Sequence, residues 1–67
     1  PAAWLIEQCG WKGRTQGNAG VYEKQPLVIV NATGSASPGE IIDLKNDITA
    51  SVKERFGITL EPEVEII

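Results

Sequence analysis

The clearest pattern of apolar and polar positions in this chain predicts an amphipathic helix in its second half. Apolar residues recur there at spacings of three and four, which brings them onto one face of an α-helix. They are Ile41, Leu44, Ile48, Val52 and Phe56. Polar and charged residues occupy most positions between them. The pattern therefore predicts a long helix with one buried face.

Both ends of this helix carry terminal signals. The stretch "SPGE" at 37–40 combines a serine N-cap, a proline at the first helical position and a glutamate three residues after the cap, which is a capping box. At the other end, Gly57 suits a left-handed C-cap, and Lys53 and Arg55 face the negative end of the helix dipole. We expect the helix to begin after Ser37 and to end at Gly57.

A shorter helix is predicted for "PAAWLIEQCG" at the start of the chain. Proline and alanine favour a first helical turn, and glycine suits the residue that ends the helix. We expect its buried side to come from Trp4, Leu5 and Cys9, with Ala3 or Ile6. Trp4, Trp11 and Phe56 are interpreted as core residues.

The remaining sequence predicts extended segments. The continuously apolar run 27–30 indicates a strand that is buried on both faces or central in a sheet. Val21 and Tyr22 are expected to end the preceding strand, with a turn at 23–26. The segment "WKGRTQGNAG" is too rich in glycine for a regular strand interior, so it predicts a bulged or irregular extended segment with close backbone approach. "ITLEPEVEII" predicts the last strand, and Pro62 favours an edge position for it.

These elements predict an α+β fold of two layers. A small, mostly antiparallel sheet is covered by one long helix plus a short N-terminal helix, in the order α-β-β(-β)-α-β. The 67 residues suffice for one domain with a modest core. Because the chain opens without methionine and closes on "EII" within a strand, we expect it to be a fragment of a longer protein.

Composition and charge narrow the classes of function. Residues 1–24 carry three basic and two acidic side chains, whereas residues 25–67 carry three basic and seven acidic ones. Without a clustered basic face, nucleic-acid binding is not expected. One cysteine and no histidine argue against a disulfide and a metal site. No apolar run approaches the roughly 20 residues of a membrane span. We therefore expect a cytoplasmic monomer without membrane contact.

Two stretches could carry binding chemistry. The glycine segment matches neither dinucleotide nor Walker patterns, so tight backbone geometry is the favoured interpretation, although Lys12 and Arg14 could meet a phosphate. In "EPEVEII", Glu61, Glu63 and Glu65 alternate with apolar residues. Such a stripe is typical of a solvated edge strand that resists sheet-to-sheet pairing. An alternative function is a stand-alone interaction module whose acidic face meets a basic partner.

Four blocks, however, resemble one known family. They are "AAWLIEQCGWKG" at 2–13, "GNAGVYEKQPLVIVN" at 17–31, "VKERFGITLEPEV" at 52–64, and the helix between the last two. Together they resemble the C-terminal domain of UDP-N-acetylenolpyruvoylglucosamine reductase, also called UDP-N-acetylmuramate dehydrogenase. The resemblance covers nearly the whole chain, although "QGNAG" departs from the commoner I-G-G-A-A of the family.

The resemblance implies a role in peptidoglycan synthesis. In this family NADPH reduces a bound FAD, and the flavin then reduces UDP-N-acetylglucosamine enolpyruvate to UDP-N-acetylmuramate. N-terminal domains of the same chain hold the FAD, and the third domain closes over the substrate. Residues 1–67 would then be the C-terminal substrate-binding domain, binding neither FAD nor NADPH and inactive alone.

Three residues match functional positions of the family. The second acid of "EPEV" is Glu63, which implies a catalytic role in stabilising or protonating the enol intermediate. Gln25 matches a glutamine that contacts the nucleotide part of the substrate. Lys12 matches the lysine of a K-G pair and is a candidate diphosphate partner. The family's proton-donor serine belongs to an upstream motif absent from these residues, and the serines present here are not substitutes for it.

Overall fold

The computed structural model describes residues 2–60 and the backbone of residues 65–66. Two helices and four strands follow one another in the order α1–β1–β2–β3–α2–β4. The helices are α1 (Ala2–Gln8) and α2 (Pro38–Phe56). The strands are β1 (Thr15–Gln16), β2 (Ala19–Val21), β3 (Val28–Asn31) and β4 (Glu65–Ile66). The predicted α+β class and element order are therefore confirmed.

Helix α2 has the caps that its sequence predicts. The Ser37 hydroxyl accepts a hydrogen bond from the Glu40 backbone N–H at 3.2 Å, and the Glu40 carboxylate accepts one from the Ser37 backbone N–H at 3.3 Å. Gly57 ends the helix with φ +69°, and its N–H donates to the Lys53 carbonyl. Terminal N–H and C=O groups that an isolated helix would leave unsatisfied are thereby bonded within the chain.

The buried face of α2 packs on the central strands and forms the core. Leu44, Ile48 and Val52 are fully buried, while Ile41 and Phe56 at the two ends of the stripe are half-buried against the same cluster. The helix contacts β2 and β3. A single helix layer therefore covers one face of the sheet, as the two-layer prediction requires.

The sheet is a β1–β2–β3–β4 ladder in which the first two pairings are antiparallel. Thr15 pairs with Gly20 and Gln16 with Ala19, so Gly17 and Asn18 form a two-residue hairpin loop. Gly17 has φ +59°. Two-residue hairpin loops need this left-handed conformation, which glycine adopts readily. The irregular segment predicted for "WKGRTQGNAG" is thus wrong in part. The segment instead forms two short strands joined by a tight turn. Gly17 lies in that turn and Gly20 lies at one close contact.

Close backbone approach in this segment is confirmed at Gly20. A side chain there would place its first carbon 3.2 Å from Thr15 Cγ2 and 3.4 Å from Ala32 Cβ. The apolar strand predicted at 27–30 lies at Val28–Asn31, one residue later, between β2 and β4. Its central position agrees with its continuous apolar run.

β4 runs parallel to β3, with Glu65 opposite Val28 and Ile66 opposite Ile29. Among the strands described it lies at the edge of the sheet, as the proline predicts. Parallel neighbours begin at the same end of a sheet. We call the end at which β3 and β4 begin the amino end, and the opposite end, where β3 stops at Asn31, the carboxyl end.

The prediction for the buried side of α1 is wrong in one residue. Ile6 is fully buried, and Leu5 and Cys9 are half-buried beside it, but Trp4 is 53% exposed. Trp4 is two positions from Ile6, which on a helix is almost the opposite side. Its ring instead lies 6.0 Å from the Phe56 ring at the end of α2. Trp11 is buried, as predicted.

Glu40 joins the hairpin loop to the start of α2, a role beyond its capping box. Its Oε2 accepts the Asn18 backbone N–H at 2.9 Å, and its Oε1 accepts the Asn18 side-chain amide at 3.3 Å. A Cβ on Gly17 would lie 2.9 Å from the same Oε2. Hydrogen bonds from the Asn18 backbone, then from the Ser37 backbone, hold the pKa of the Glu40 carboxyl below its ordinary value.

This network predicts acid sensitivity. Because the folded state lowers the Glu40 pKa, the carboxylate stabilises the fold above the ordinary value of 4.5, and the contribution is lost as pH falls through the folded-state pKa. Glu40→Gln puts an amide N–H₂ where backbone donors need an acceptor. We expect it to lower the free energy of unfolding at neutral pH, and the difference from wild type to shrink below pH 4.5. Urea unfolding across pH measures this.

The matched control for Glu40→Gln is Glu54→Gln on the exposed side of the same helix. Within residues 2–60 the Glu54 side chain takes part in none of the hydrogen bonds or ion pairs, so its substitution should change stability little at any pH. A Glu40→Gln effect that stays constant from neutral pH to well below pH 4.5 would contradict the ionic role of this carboxylate.

Two absences apply to the described part of the chain. No helix there combines the length and apolar character that a membrane crossing requires. No three histidine, cysteine, aspartate or glutamate side chains there are grouped as a metal site would need.

Candidate functional site

Two turns meet at the amino end of the sheet, and each carries one of the predicted site residues. The first turn spans 11–14 and joins α1 to β1; the second spans 22–27 and joins β2 to β3. The Val21 N–H donates to the Arg14 carbonyl at 2.9 Å, and the Tyr22 N–H donates to the Val28 carbonyl at 2.8 Å. These bonds attach both turns to the strands that end or begin there.

The two turns also touch each other. Gly13 has φ +72°, and a Cβ added to it would lie 3.7 Å from Cβ and Cγ of Glu23. Lys12 on one turn and Gln25 on the other are therefore brought to the same end of the sheet. Their side chains do not hydrogen-bond to each other among the bonds of residues 2–60.

Lys12 is exposed and only weakly engaged. Its Nζ lies 3.5 Å from Glu7 Oε1, and both side chains are close to half accessible. An exposed ion pair of this kind contributes about 0–1 kcal/mol. The ammonium group can therefore leave Glu7 for a stronger anionic ligand at little cost to the fold.

Gln25 contributes to the turn through its backbone and leaves its side chain exposed. Its carbonyl accepts the Val28 N–H at 3.0 Å, which fixes the point where β3 begins. The next residue, Pro26, is buried and cannot donate a backbone hydrogen bond. The backbone of this turn is thus anchored while the amide side chain of Gln25 remains accessible to a ligand.

Glu63, the predicted catalytic residue, lies outside the described residues. What the structure gives is the start of β4, where Glu65 pairs with Val28 at the amino end. Glu63 precedes Glu65 by two positions in the sequence.

Sequence reasoning missed the packing of Arg14. Its guanidinium carbon lies 4.4 Å from the centroid of the Trp11 ring, within the range of a cation–π contact. Trp11 is 4% exposed, and its buried Nε1 has no acceptor within the described residues. Packing and the stacked arginine therefore hold the indole. The only signal in the sequence was the tryptophan-to-arginine spacing of three across a turn.

A second concave surface lies at the opposite end of the molecule. An apolar groove of about 320 Å³ at the start of α2 is lined by Ala36, Pro38, Ile41 and Ile42. None of the predicted site residues lines it, and its lining side chains provide no charged group. The amino end is therefore the better candidate for binding an anionic, polar ligand.

The fold and the amino end together define a small α+β domain that presents basic and amide side chains on two adjoining turns. The chain belongs to the family described as UDP-N-acetylenolpyruvoylglucosamine reductase, C-terminal domain, whose family model matches residues 1–67. This confirms the resemblance seen in the sequence.

Curated relatives agree with the family model. The chain is 54% identical over 66 residues to a protein of Xanthomonas oryzae pv. oryzae named UDP-N-acetylenolpyruvoylglucosamine reductase, covering 98% of this chain and 19% of the relative. Proteins of the same name from Xylella fastidiosa and Bacteroides fragilis are 54% and 49% identical, over 98% and 100% of this chain. The chain spans about a fifth of the length of these relatives, 18–20%.

Proposed function

We propose that these residues form the substrate-binding domain of a flavin-dependent reductase that converts UDP-N-acetylglucosamine enolpyruvate to UDP-N-acetylmuramate. The reaction belongs to peptidoglycan synthesis in the cytoplasm, and the chain acts as a monomer together with FAD-binding domains of the same polypeptide. Membership of the reductase family supports the reaction class. The observation that carries the site is the parallel register of β3 and β4, with Glu65 opposite Val28.

This register supports one substrate site made from three separate stretches of sequence. The chain reaches β4 at the end where the turn with Lys12 and the turn with Gln25 adjoin. In the proposal, Lys12 binds the substrate diphosphate and Gln25 hydrogen-bonds its nucleotide part. A lysine ammonium suits phosphate oxygens, and a primary amide both donates and accepts hydrogen bonds, as a nucleotide base requires.

Glu63 has the catalytic role in this proposal. Reduction of the enolpyruvyl group creates enolate character, and a nearby carboxyl group stabilises that charge best when it carries a proton that it can share or donate. Removal of water from the closed site favours the neutral form of a carboxyl group. Glu63 therefore stabilises or protonates the enol, while Glu61 and Glu65 are supporting or solvated.

We assign FAD and NADPH to other domains of the same polypeptide, as the family resemblance implies. The side chains that line the groove on α2 are all apolar, so none of them can donate a hydrogen bond to the polar edge or the phosphates of FAD. The turns at the amino end are open to solvent at Lys12, Arg14 and Gln25. When bound elsewhere in the chain, the flavin supplies the hydride of the reaction.

The test uses the full-length protein that carries this domain. Wild type should oxidise NADPH over many turnovers only when UDP-N-acetylglucosamine enolpyruvate is present, and it should form UDP-N-acetylmuramate. Lys12→Gln should raise the KM for that substrate about tenfold with a smaller change in kcat, because one charge-assisted contact to the substrate is lost. Steady-state kinetics with product identified by mass spectrometry measures both.

The matched control is Lys53→Gln, which removes the same charge from the exposed last turn of α2. It should leave KM unchanged. If the wild-type protein neither reduces nor binds the UDP-sugar, the proposed function is wrong, and the interaction module with an acidic face becomes the better interpretation. A KM that Lys12→Gln leaves at the wild-type value would reject the role of this lysine alone.

A further inference from the structure

Arg14 has a side chain and a backbone that are both held in place at the amino end. Its N–H donates to the Trp11 carbonyl and its carbonyl accepts the Val21 N–H, both at 2.9 Å. Its guanidinium lies over the Trp11 ring at 4.4 Å. A long side chain normally loses rotamer freedom when it binds a ligand, and this loss opposes binding. Here much of that ordering exists before any ligand binds.

The stacked arrangement leaves the hydrogen-bonding edge of the guanidinium available. A guanidinium contacts an aromatic ring through its flat face, whereas its N–H groups lie in its own plane. Arg14 remains exposed overall. Within residues 2–60 its N–H groups meet no hydrogen-bond acceptor. Such a group matches the oxygens of phosphate in a two-bond, fork-like contact.

Lys12 lies two residues away on the same turn, with Gly13 between them. Lys12, Arg14 and Lys24 are opposed there by Glu23 and by Glu7, which pairs with Lys12, so these five side chains carry a net charge of +1. The turn at 11–14 thus presents two cations, Lys12 and Arg14, of which only Lys12 has an acidic partner among the ion pairs of residues 2–60. A doubly charged anion with two separated phosphate groups fits two cations on one turn better than a single carboxylate does.

We propose that Arg14 is a further binding residue of the site, and that it takes one phosphate of a nucleoside diphosphate while Lys12 takes the other. Trp11 acts as a positioning residue that holds the guanidinium. This inference rests on the proposed function for the identity of the nucleotide. The stacked arginine is an observation independent of the family positions at Lys12, Gln25 and Glu63.

Binding of UDP, of inorganic pyrophosphate and of uridine to the full-length protein tests the inference, by calorimetric titration at low ionic strength. Arg14→Gln should weaken the binding of UDP and of pyrophosphate about tenfold and leave the binding of uridine unchanged, since uridine has no phosphate. Arg14→Lys should fall between wild type and Arg14→Gln, because lysine keeps the charge but not the fork. Lys53→Gln, with the same change of charge, should bind all three as wild type does.

Each other outcome has a defined meaning. If Arg14→Gln binds UDP as tightly as wild type does, Arg14 has no phosphate role. The same follows if the variant loses affinity for uridine as strongly as for UDP. If Arg14→Lys binds UDP and pyrophosphate as tightly as wild type does, the fork-like contact is wrong. Wild type that binds pyrophosphate through Arg14 but not the UDP-sugar keeps the anion site and refutes the proposed function. Wild type that binds none of these ligands refutes both.

Discussion

Replacing Glu63 by glutamine in the full-length protein is expected to slow reduction of the UDP-sugar about 10²–10⁴-fold, the usual range for loss of a proton-transferring group. Glutamine has nearly the same shape and can still donate a hydrogen bond, but it cannot deliver a proton. Substrate affinity should change much less than the rate. The effect is the largest expected for any single side chain in the proposed site.

The two half-reactions separate this role from a general defect. In Glu63→Gln, reduction of the flavin by NADPH without the UDP-sugar should proceed at the wild-type rate, as monitored by stopped-flow absorbance. Reoxidation by the UDP-sugar should be slow. Glu61→Gln is the matched control, two positions earlier in the same acidic stretch, and should reoxidise within a few-fold of wild type. Equal slowing of both half-reactions by Glu63→Gln would remove Glu63 from the chemistry.

The second large effect is on stability, at the centre of the core. Ile48→Ala should lower the free energy of unfolding by about 2–5 kcal/mol, because it removes three buried carbons and leaves a cavity. Ile48 is fully buried midway along the stripe of α2. A domain of this size has a total stability of only about 3–5 kcal/mol. The variant should therefore be largely unfolded at 37 °C as an isolated domain, by circular dichroism and urea titration.

Ile42→Ala provides the matched control, with the same chemical change in the same helix. Ile42 is 52% exposed, so its substitution should alter stability by less than about 0.5 kcal/mol. Similar losses for the two variants would mean that α2 does not bury the face seen in the structure. A stable Ile48→Ala domain would equally contradict the proposed core.

Helix α2 shows how much local sequence can specify. Its apolar stripe, its capping box and its terminal glycine are all set by residues within a few positions of one another. Each acts through nearby backbone or through a single face, so no knowledge of distant contacts was needed. The family resemblance, likewise, depended on ordered sequence blocks and was confirmed over the whole chain.

Where local signals were sparse, the predictions failed or shifted. α1 has seven residues, too few for apolar spacing to choose between Trp4 and Ile6 as the buried residue. The glycine segment was interpreted from composition, yet its hairpin depends on pairing between Thr15 and Gly20. Glu40 was recognised as a capping residue, but its bonds to Asn18 join residues 22 positions apart.

The sequence alone determined the class of fold and the long helix with its ends, and its resemblance to the reductase family indicated the candidate residues Lys12, Gln25 and Glu63. Only the tertiary structure decided that the turns bearing Lys12 and Gln25 adjoin, that Arg14 stacks on Trp11, and that β4 begins beside β3. The physical reason is the distance in sequence between the residues that interact. Caps and helical faces depend on neighbours in sequence, whereas a binding site depends on strand register and on turns that meet only after the core has formed.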